Sequence, residues 1–412
     1  MKHSLLDQTK ENGSTATLSL RAGDRFADRM QGVPRSFIRE ILKVAISPEV
    51  ISFAGGLPQK ELFPLEELRL SAAKLMSGSD RNILQYANTE GYLPLREKIA
   101  ERYGRKGLKI NPQNILITNG SQQGLDLLGK VFVNGGDTIV MEEPGYLGAI
   151  QAFSLFKPRF ATVPLSEEGI DVEILRKTVN KQCPRLAYLI PNFQNPSGIS
   201  YTEEVRKQVA DICRDKPLYI IEDDPYGDIR FTGKAKSSFY HYLPEQTILL
   251  GTFSKTVVPA FRMGWIVAPD DVMEKLIIAK QAADLHTDYF TQRLIHQYLS
   301  DYNIDQHITQ IRQAYGQQAT AMICAIERYF PEEISFTRPE GGMFLWVTLP
   351  KGQSALELFD RAIQQNVAFV PGNPFYIGKT DINTCRLNFS CSNEQTIEEG
   401  IRRLGGVLKK CQ

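Results

Sequence analysis

The sequence predicts an α/β protein: a large domain with a mostly parallel sheet covered by helices, plus a smaller α+β domain. Two observations carry this. Between about residues 110 and 270, runs of four to six apolar residues alternate with amphipathic stretches, the pattern of strands buried on both faces by helices. From about residue 300 the rhythm changes to a long helical stretch followed by strands and helices in mixed order. The 412 residues, 42% hydrophobic and 23% charged, are enough for two domains of an ordinary globular protein.

NILIT (114–118) reads as the first strand of the large domain and QQGLDLLGKVF (122–132) as the helix after it. DTIVMEEP, LAYLIPN, PLYIIEDD, TILLGTF and GWIVAPD are further strands, with EEVRKQVADICRD (203–215) a covering helix. In the small domain, residues 307–330 form a long helix, followed by the strand GGMFLWVTLP, the helix SALELFDRAIQQN, strands VAFVP and TCRLNFS, and a last helix over 396–410. We therefore expect an N-terminal arm and short helix over 1–50 packed with the small domain, the large domain over 51–300, and the small domain over 301–412. No internal repeat or low-complexity segment interrupts this order.

A net charge of +1 gives no electrostatic reason for a nucleic acid or an anionic membrane as partner. Small molecules and a second copy of the chain fit better. The six cysteines, at 183, 213, 324, 385, 391 and 411, show no C-x-x-C spacing, so they suggest neither zinc nor a disulfide framework, and they fit a reducing compartment. The N-terminal residues lack the apolar core of a signal peptide, and no window is long enough to span a bilayer. A cytoplasmic location is expected.

In a doubly wound domain the ligand sits at the C-terminal ends of the strands, and there the sequence is unusually polar. NILITNGSQQG runs through Gly120 into a helix start at Ser121 and Gln122, where free N–H groups and the helix dipole favour an anion; alone, Ser121 also fits a simple N-cap. PLYIIEDDPYG places Glu222, Asp223 and Asp224 after a buried-type strand, where a carboxylate can hold a protonated ring nitrogen, though an acid before proline is also ordinary turn chemistry. LIPNFQNPSG offers Asn195. TILLGTFSKTVVPAFRMGW adds Thr252, Ser254, Lys255 and Arg262. Ser254 stands where a P-loop needs glycine, so the nucleotide-binding reading fails. The sparse charge around Lys255 suits an amine that must lose its proton near neutral pH. One ligand carrying a phosphate, a basic ring nitrogen, a phenolic oxygen and an aldehyde would use all of these groups together with the aromatic Tyr146. Pyridoxal phosphate is that ligand.

FAGGLP, LQYANTEGYLPLR, TNGSQQGLDLL, EEPGYLGAI, PNFQNPSG, EDDPYG, GTFSK with Arg262, PEGGMFLW and RLNFS follow one another in an order that resembles the fold-type I pyridoxal-phosphate aminotransferases of class I/II. The resemblance runs from about residue 30 to the end, and is strongest to the α-aminoadipate and kynurenine aminotransferases and to the effector domain of MocR-type regulators. It implies that Lys255 bonds the cofactor's aldehyde covalently and later shuttles a proton at the substrate Cα, and that Asp223 keeps the ring nitrogen protonated. Tyr226 and Asn195 would hydrogen-bond the phenolic oxygen, and Tyr146 would stack on the ring. Ser121, Gln122, Thr252, Ser254 and Arg262 would hold the phosphate, with Tyr86 reaching it from a neighbouring subunit of a homodimer. Arg386 would clamp the substrate α-carboxylate, helped by Asn195. Gly56 would lie beside the substrate, and Arg39, on a short N-terminal helix, would pair with a distal carboxylate or swing aside.

The activity so implied is transfer of an amino group between an acidic, aromatic or aliphatic L-amino acid and a 2-oxo acid such as 2-oxoglutarate. The same fold hosts lyases and decarboxylases, and non-catalytic ligand-sensing domains. About 30 residues precede the resemblance, too few for the winged helix that the regulators carry ahead of this domain.

Overall fold

The computed structural model describes residues 26–30, 41 and 47–410. The chain enters through a short strand, β1 (Ile51–Ser52), and later builds an eight-stranded sheet from β2 (Ile115–Asn119), β3 (Thr138–Glu143), β4 (Arg159–Ser166), β5 (Gly169–Ile170), β6 (Leu186–Leu189), β7 (Tyr219–Asp223), β8 (Thr247–Thr252) and β9 (Met263–Val267). Their spatial order is β2-β9-β8-β7-β6-β3-β4-β5. The five central strands from β8 to β4 are parallel. β9 runs against both of its neighbours, and β5 against β4.

Alternation explains how one sheet serves two layers. Ile139, Met141, Leu186, Tyr188 and Ile221 pack on one face with Leu125, Leu128 and Phe153 of the helices Ser121–Phe132 and Leu147–Ser154. Their strand neighbours Val140, Ala187, Leu189 and Ile220 pack on the other with Leu175, Val179, Val205 and Val209 of the helices Val172–Gln182 and Glu203–Cys213. Period-2 side chains on fully buried strands give near-continuous apolar runs, which is why these strands are readable in the sequence. RFATVPLS lacks such a run and is absent from the expected strands, yet it forms β4 near the sheet edge, where its exposed Arg159 and Pro164 interrupt the apolar pattern.

The smaller unit is an antiparallel sheet in the order β10 (Ser335–Phe336), β11 (Phe344–Thr348), β14 (Thr384–Asn388), β13 (Val370–Pro371), while β12 (Val367–Ala368) pairs with β1 in parallel. The long helix Ile304–Tyr329 and the last helix Glu394–Lys409 cover it, their Met322, Ile326, Ile397 and Leu404 meeting Leu345, Val347 and Leu387. The entering segment is sewn into this unit. Phe53 N–H donates to the Ala368 carbonyl at 2.7 Å, Asn388 N–H to the Phe53 carbonyl at 2.9 Å, and the Phe53 ring lies in the same core. Among the described residues no helix is long and apolar enough to cross a membrane.

Candidate active site

The C-terminal ends of β3, β6, β7 and β8 open onto a cavity of ≈ 340 Å³, within the size range of small-molecule sites. The chain brings Gly56, Ser121, Gln122, Tyr146, Asn195, Asp223, Tyr226, Thr252, Ser254, Lys255, Arg262 and Arg386 to its wall.

One end of the cavity is an anion cradle. Gly120, not Ser121, caps the helix Ser121–Phe132, and it does so without a side-chain hydrogen bond, so the first helical N–H groups keep their donors for a ligand. Gly120 has φ +74°, and a Cβ there would meet Arg262 Nη2 at 2.4 Å. Only glycine therefore permits both the turn and the approach of the guanidinium. Arg262 itself is left-handed, at φ 48°. Thr252 Oγ1 donates to the Met263 carbonyl at 2.9 Å and lies 2.9 Å from Ser254 Oγ. Gln122 is turned towards the Gly148 carbonyl, at 2.8 Å from Nε2.

Lys255 follows the end of β8. Its Nζ donates to the Gly56 carbonyl at 2.8 Å. Burial pushes its ammonium down to about 8, the Arg386 and Arg262 charges adding to that and the Cys391 thiol opposing it. The amine is thus available as a nucleophile near neutral pH.

Asp223 ends β7 and is 2% exposed. Tyr188 Oη donates to its Oδ2 at 2.6 Å, and Oδ1 has no partner within the protein. Burial raises the carboxyl to about 7, against the Tyr188 hydrogen bond. Asp224, by contrast, accepts from Asn192 Nδ2 and Gly227 N–H, both at 2.9 Å, so it holds the turn and leaves Asp223 alone on the wall. A buried carboxylate oxygen without a donor is costly, and a protonated ring nitrogen would satisfy it.

Arg386, on β14, reaches across from the small unit. Its Nη1 donates to Asn195 Oδ1 at 2.9 Å and its Nη2 to the Ala54 carbonyl at 2.8 Å. Its guanidinium carbon lies 4.2 Å from the centre of the Phe344 ring, and Nε has no partner. Burial lowers it to about 10, so it remains a cation, and the phenols of Tyr226 and Tyr146 favour that charge. Asn195 Nδ2 lies 3.4 Å from Tyr226 Oη, and burial raises the Tyr226 phenol well above its usual range and that of Tyr146 to about 12. A Cβ on Gly56 would come within 3.2 Å of Phe344.

Tyr86 is not part of this wall. It is 79% exposed, edge-on to His286 at 5.8 Å between ring centres. Arg39 lies outside the described residues. Ile190 and Pro225, which also line the cavity, escaped sequence reasoning, and so did two residues that act on the polar groups. Phe344, which faces Arg386, stood inside the motif PEGGMFLW without a role, and Tyr188 looked like one more apolar residue of LAYLIPN.

The donor set fits pyridoxal phosphate: a helix start with an arginine for the phosphate, an unpartnered carboxylate oxygen for a ring nitrogen, a phenol and an amide for an oxygen, and a depressed lysine for an aldehyde. Comparison with known proteins agrees. Residues 48–404 match the family model for aminotransferase class I and II. A 2-aminoadipate transaminase of Thermus thermophilus is 44% identical over 381 residues, covering 92% of this chain and 94% of that protein. The crystal structure of an α-aminoadipate aminotransferase from the same species, complexed with N-(5'-phosphopyridoxyl)-L-leucine, superposes with a TM-score of 0.88 at 42% identity, over 95% of this chain and 99% of that one. A Pyrococcus horikoshii kynurenine aminotransferase, solved with PMP, KYN and KYA, gives 0.90 at 39% identity, over 94% and 98%. The chain belongs to the class I and II aminotransferases, of fold type I.

Proposed function

We propose that the protein is a pyridoxal-phosphate-dependent aminotransferase that moves an amino group between an L-amino acid of broad type and a 2-oxo acid such as 2-oxoglutarate. The observation that carries this is the depressed amine of Lys255 in one cavity with the unpartnered Asp223 Oδ1 and the buried, planar Arg386. When bound, the cofactor supplies an aldehyde that bonds to amines and a ring that withdraws electrons from the substrate Cα.

The protein's own groups do the rest. Lys255, whose amine faces the cavity, would hold the cofactor's aldehyde and, when free, would serve as the base and acid for the proton at the substrate Cα. Asp223, ionised, would accept from a protonated ring nitrogen through its unpartnered Oδ1. Arg386 presents Nη1 and Nη2 to the α-carboxylate in bidentate fashion, exchanging part of its present bonds to Asn195 and Ala54 for the ligand. Tyr226 and Asn195 would hold the phenolic oxygen, Tyr146 would pack on the ring, and Ser121, Gln122, Thr252, Ser254 and Arg262 would hold the phosphate. Gly56 keeps one side of the substrate free of a side chain.

The breadth of donors is supported by the relatives, whose names and ligands include aminoadipate, leucine and kynurenine. Arg39 as a movable partner for an acidic side chain belongs to this reading. So does a homodimer in which Tyr86, exposed here, reaches the phosphate of the second copy. The free cysteines, none of them bridged among the described residues, accord with a cytoplasmic protein.

The test is a panel of amino acids mixed singly with the loaded protein and followed by absorbance. A transaminase keeps the amino group until a 2-oxo acid is added, and then returns the starting spectrum. Release of ammonia and pyruvate would mean a lyase, and loss of carbon dioxide a decarboxylase.

A further inference from the structure

Tyr188 sits on β6, between β3 and β7 at the middle of the large sheet. It pairs in register with Ile221 of β7, so Asp223, two residues further on, lies on the same face, within diagonal reach of a long side chain. The ring is fully buried and packs edge-on against Phe153, 6.1 Å between centres. A phenylalanine would fill this apolar site equally well. The hydroxyl therefore calls for a reason, and its partner is Asp223 Oδ2 at 2.6 Å. The other oxygen of that carboxylate is the one left without a partner.

We propose that Tyr188 is a positioning residue: its hydroxyl pins Oδ2 so that Oδ1 faces the ring nitrogen, and stabilises the carboxylate form on which that contact depends. The inference rests on the function proposed above. A carboxyl with one oxygen anchored cannot rotate about its Cβ–Cγ bond without losing a short hydrogen bond, so the acceptor for the ring is held in one orientation before any ligand arrives. A donated hydrogen bond also favours the charged form against desolvation. Burial and the Asp223 charge hold the Tyr188 phenol well above its ordinary range, so it stays a donor at every pH of interest. The other titratable groups that feel Asp223 are Asp224 beside it, Glu142 and Tyr146 at and beyond the end of β3, and Tyr226 after β7.

The test uses the full chain with 13C-labelled aspartate, free of cofactor, the Asp223 signal being assigned by its loss in Asp223→Asn. Tyr188→Phe is expected to raise the titration midpoint of Asp223 by about one pH unit or more, while Phe153→Leu, which disturbs the packing of the same ring without touching the carboxylate, leaves it in place. Site-specific 3-fluorotyrosine at 188, a stronger donor of the same shape, is expected to lower it. In the loaded protein, the 15N shift of ring-labelled pyridoxal phosphate should report loss of the ring proton at lower pH in Tyr188→Phe than in the wild type. An unchanged Asp223 midpoint in Tyr188→Phe, or an equal rise in Phe153→Leu, overturns the proposal. Failure of the wild type to take up the cofactor would count against the proposed function, and the cofactor-free titration would still decide the role of Tyr188.

Discussion

Replacing Asp223 by asparagine should reverse its effect on stability between acid and neutral pH. Burial lifts the Asp223 carboxyl from 3.8 to about 7. At about 1.4 kcal/mol per unit, that lift of roughly three units costs the cofactor-free folded chain about 4 kcal/mol once the group is ionised in both states. Below pH 4 the cost is absent, because both states carry the proton. Between pH 4 and 7 the folded state binds more protons than the unfolded one, so wild-type stability falls as pH rises. Asparagine has no such slope. It keeps an oxygen to accept from Tyr188 but leaves its amide N–H groups unpaired, at about 1–3 kcal/mol. The variant should thus be about 1–3 kcal/mol less stable than wild type near pH 4 and about 1–3 kcal/mol more stable at pH 8, combining the two effects. Calorimetry of the cofactor-free protein reads this as roughly 1 °C per kcal/mol for a chain of this length. In the loaded protein the same change should slow the amino-transfer half-reaction by orders of magnitude, since a neutral amide cannot hold the ring proton. A stability difference independent of pH, or the same pattern in Asp224→Asn, would refute the reasoning.

Three further outcomes follow from the geometry. Arg386→Lys should raise KM for all amino acids alike and leave cofactor retention unchanged, because a point charge replaces a planar fork; steady-state kinetics over several donors checks it. Gly120→Ala should destabilise the protein by about 1–3 kcal/mol and weaken phosphate binding, since it strains a left-handed residue and drives a methyl into Arg262; thermal unfolding with and without inorganic phosphate measures both. The rate at which the cofactor-free protein takes up pyridoxal phosphate should rise about tenfold per pH unit and level off above about 8, where Lys255 is neutral. A midpoint near the ordinary lysine value would refute that assignment, as would borohydride fixing the cofactor outside residues 251–262.

The sheet was legible because its strands are buried on both faces and so appear as uninterrupted apolar runs. The site was legible because polar residues cluster where those runs stop. What the sequence left undecided was orientation. EDDPY by its residue types alone holds two candidate acids; the family resemblance points to Asp223, and the bonds of Asp224 to Asn192 and Gly227 agree by leaving Asp223 as the one on the wall. Ser121 fitted a helix cap until Gly120 took that place, a matter of one residue's φ. Tyr188 was invisible, because a tyrosine inside an apolar run looks the same whether its hydroxyl has a task or merely fits. Phe344 was hidden differently: it serves Arg386 from another strand, and no spacing in the chain reports a contact between β11 and β14.

The entering segment has a mechanical consequence. Residues 51–53 are stitched to β12 and β14 by main-chain bonds, the Ala54 carbonyl holds Arg386, and two residues on the Gly56 carbonyl holds Lys255. The carbonyl that holds the Lys255 amine and the carbonyl that holds the Arg386 guanidinium thus belong to one short segment bonded to the small sheet, while Lys255 itself stands at the end of β8 in the large one. A shift of that segment against the large sheet would therefore alter the Lys255–Gly56 and Arg386–Ala54 contacts together, each of them a side chain held by a main-chain carbonyl.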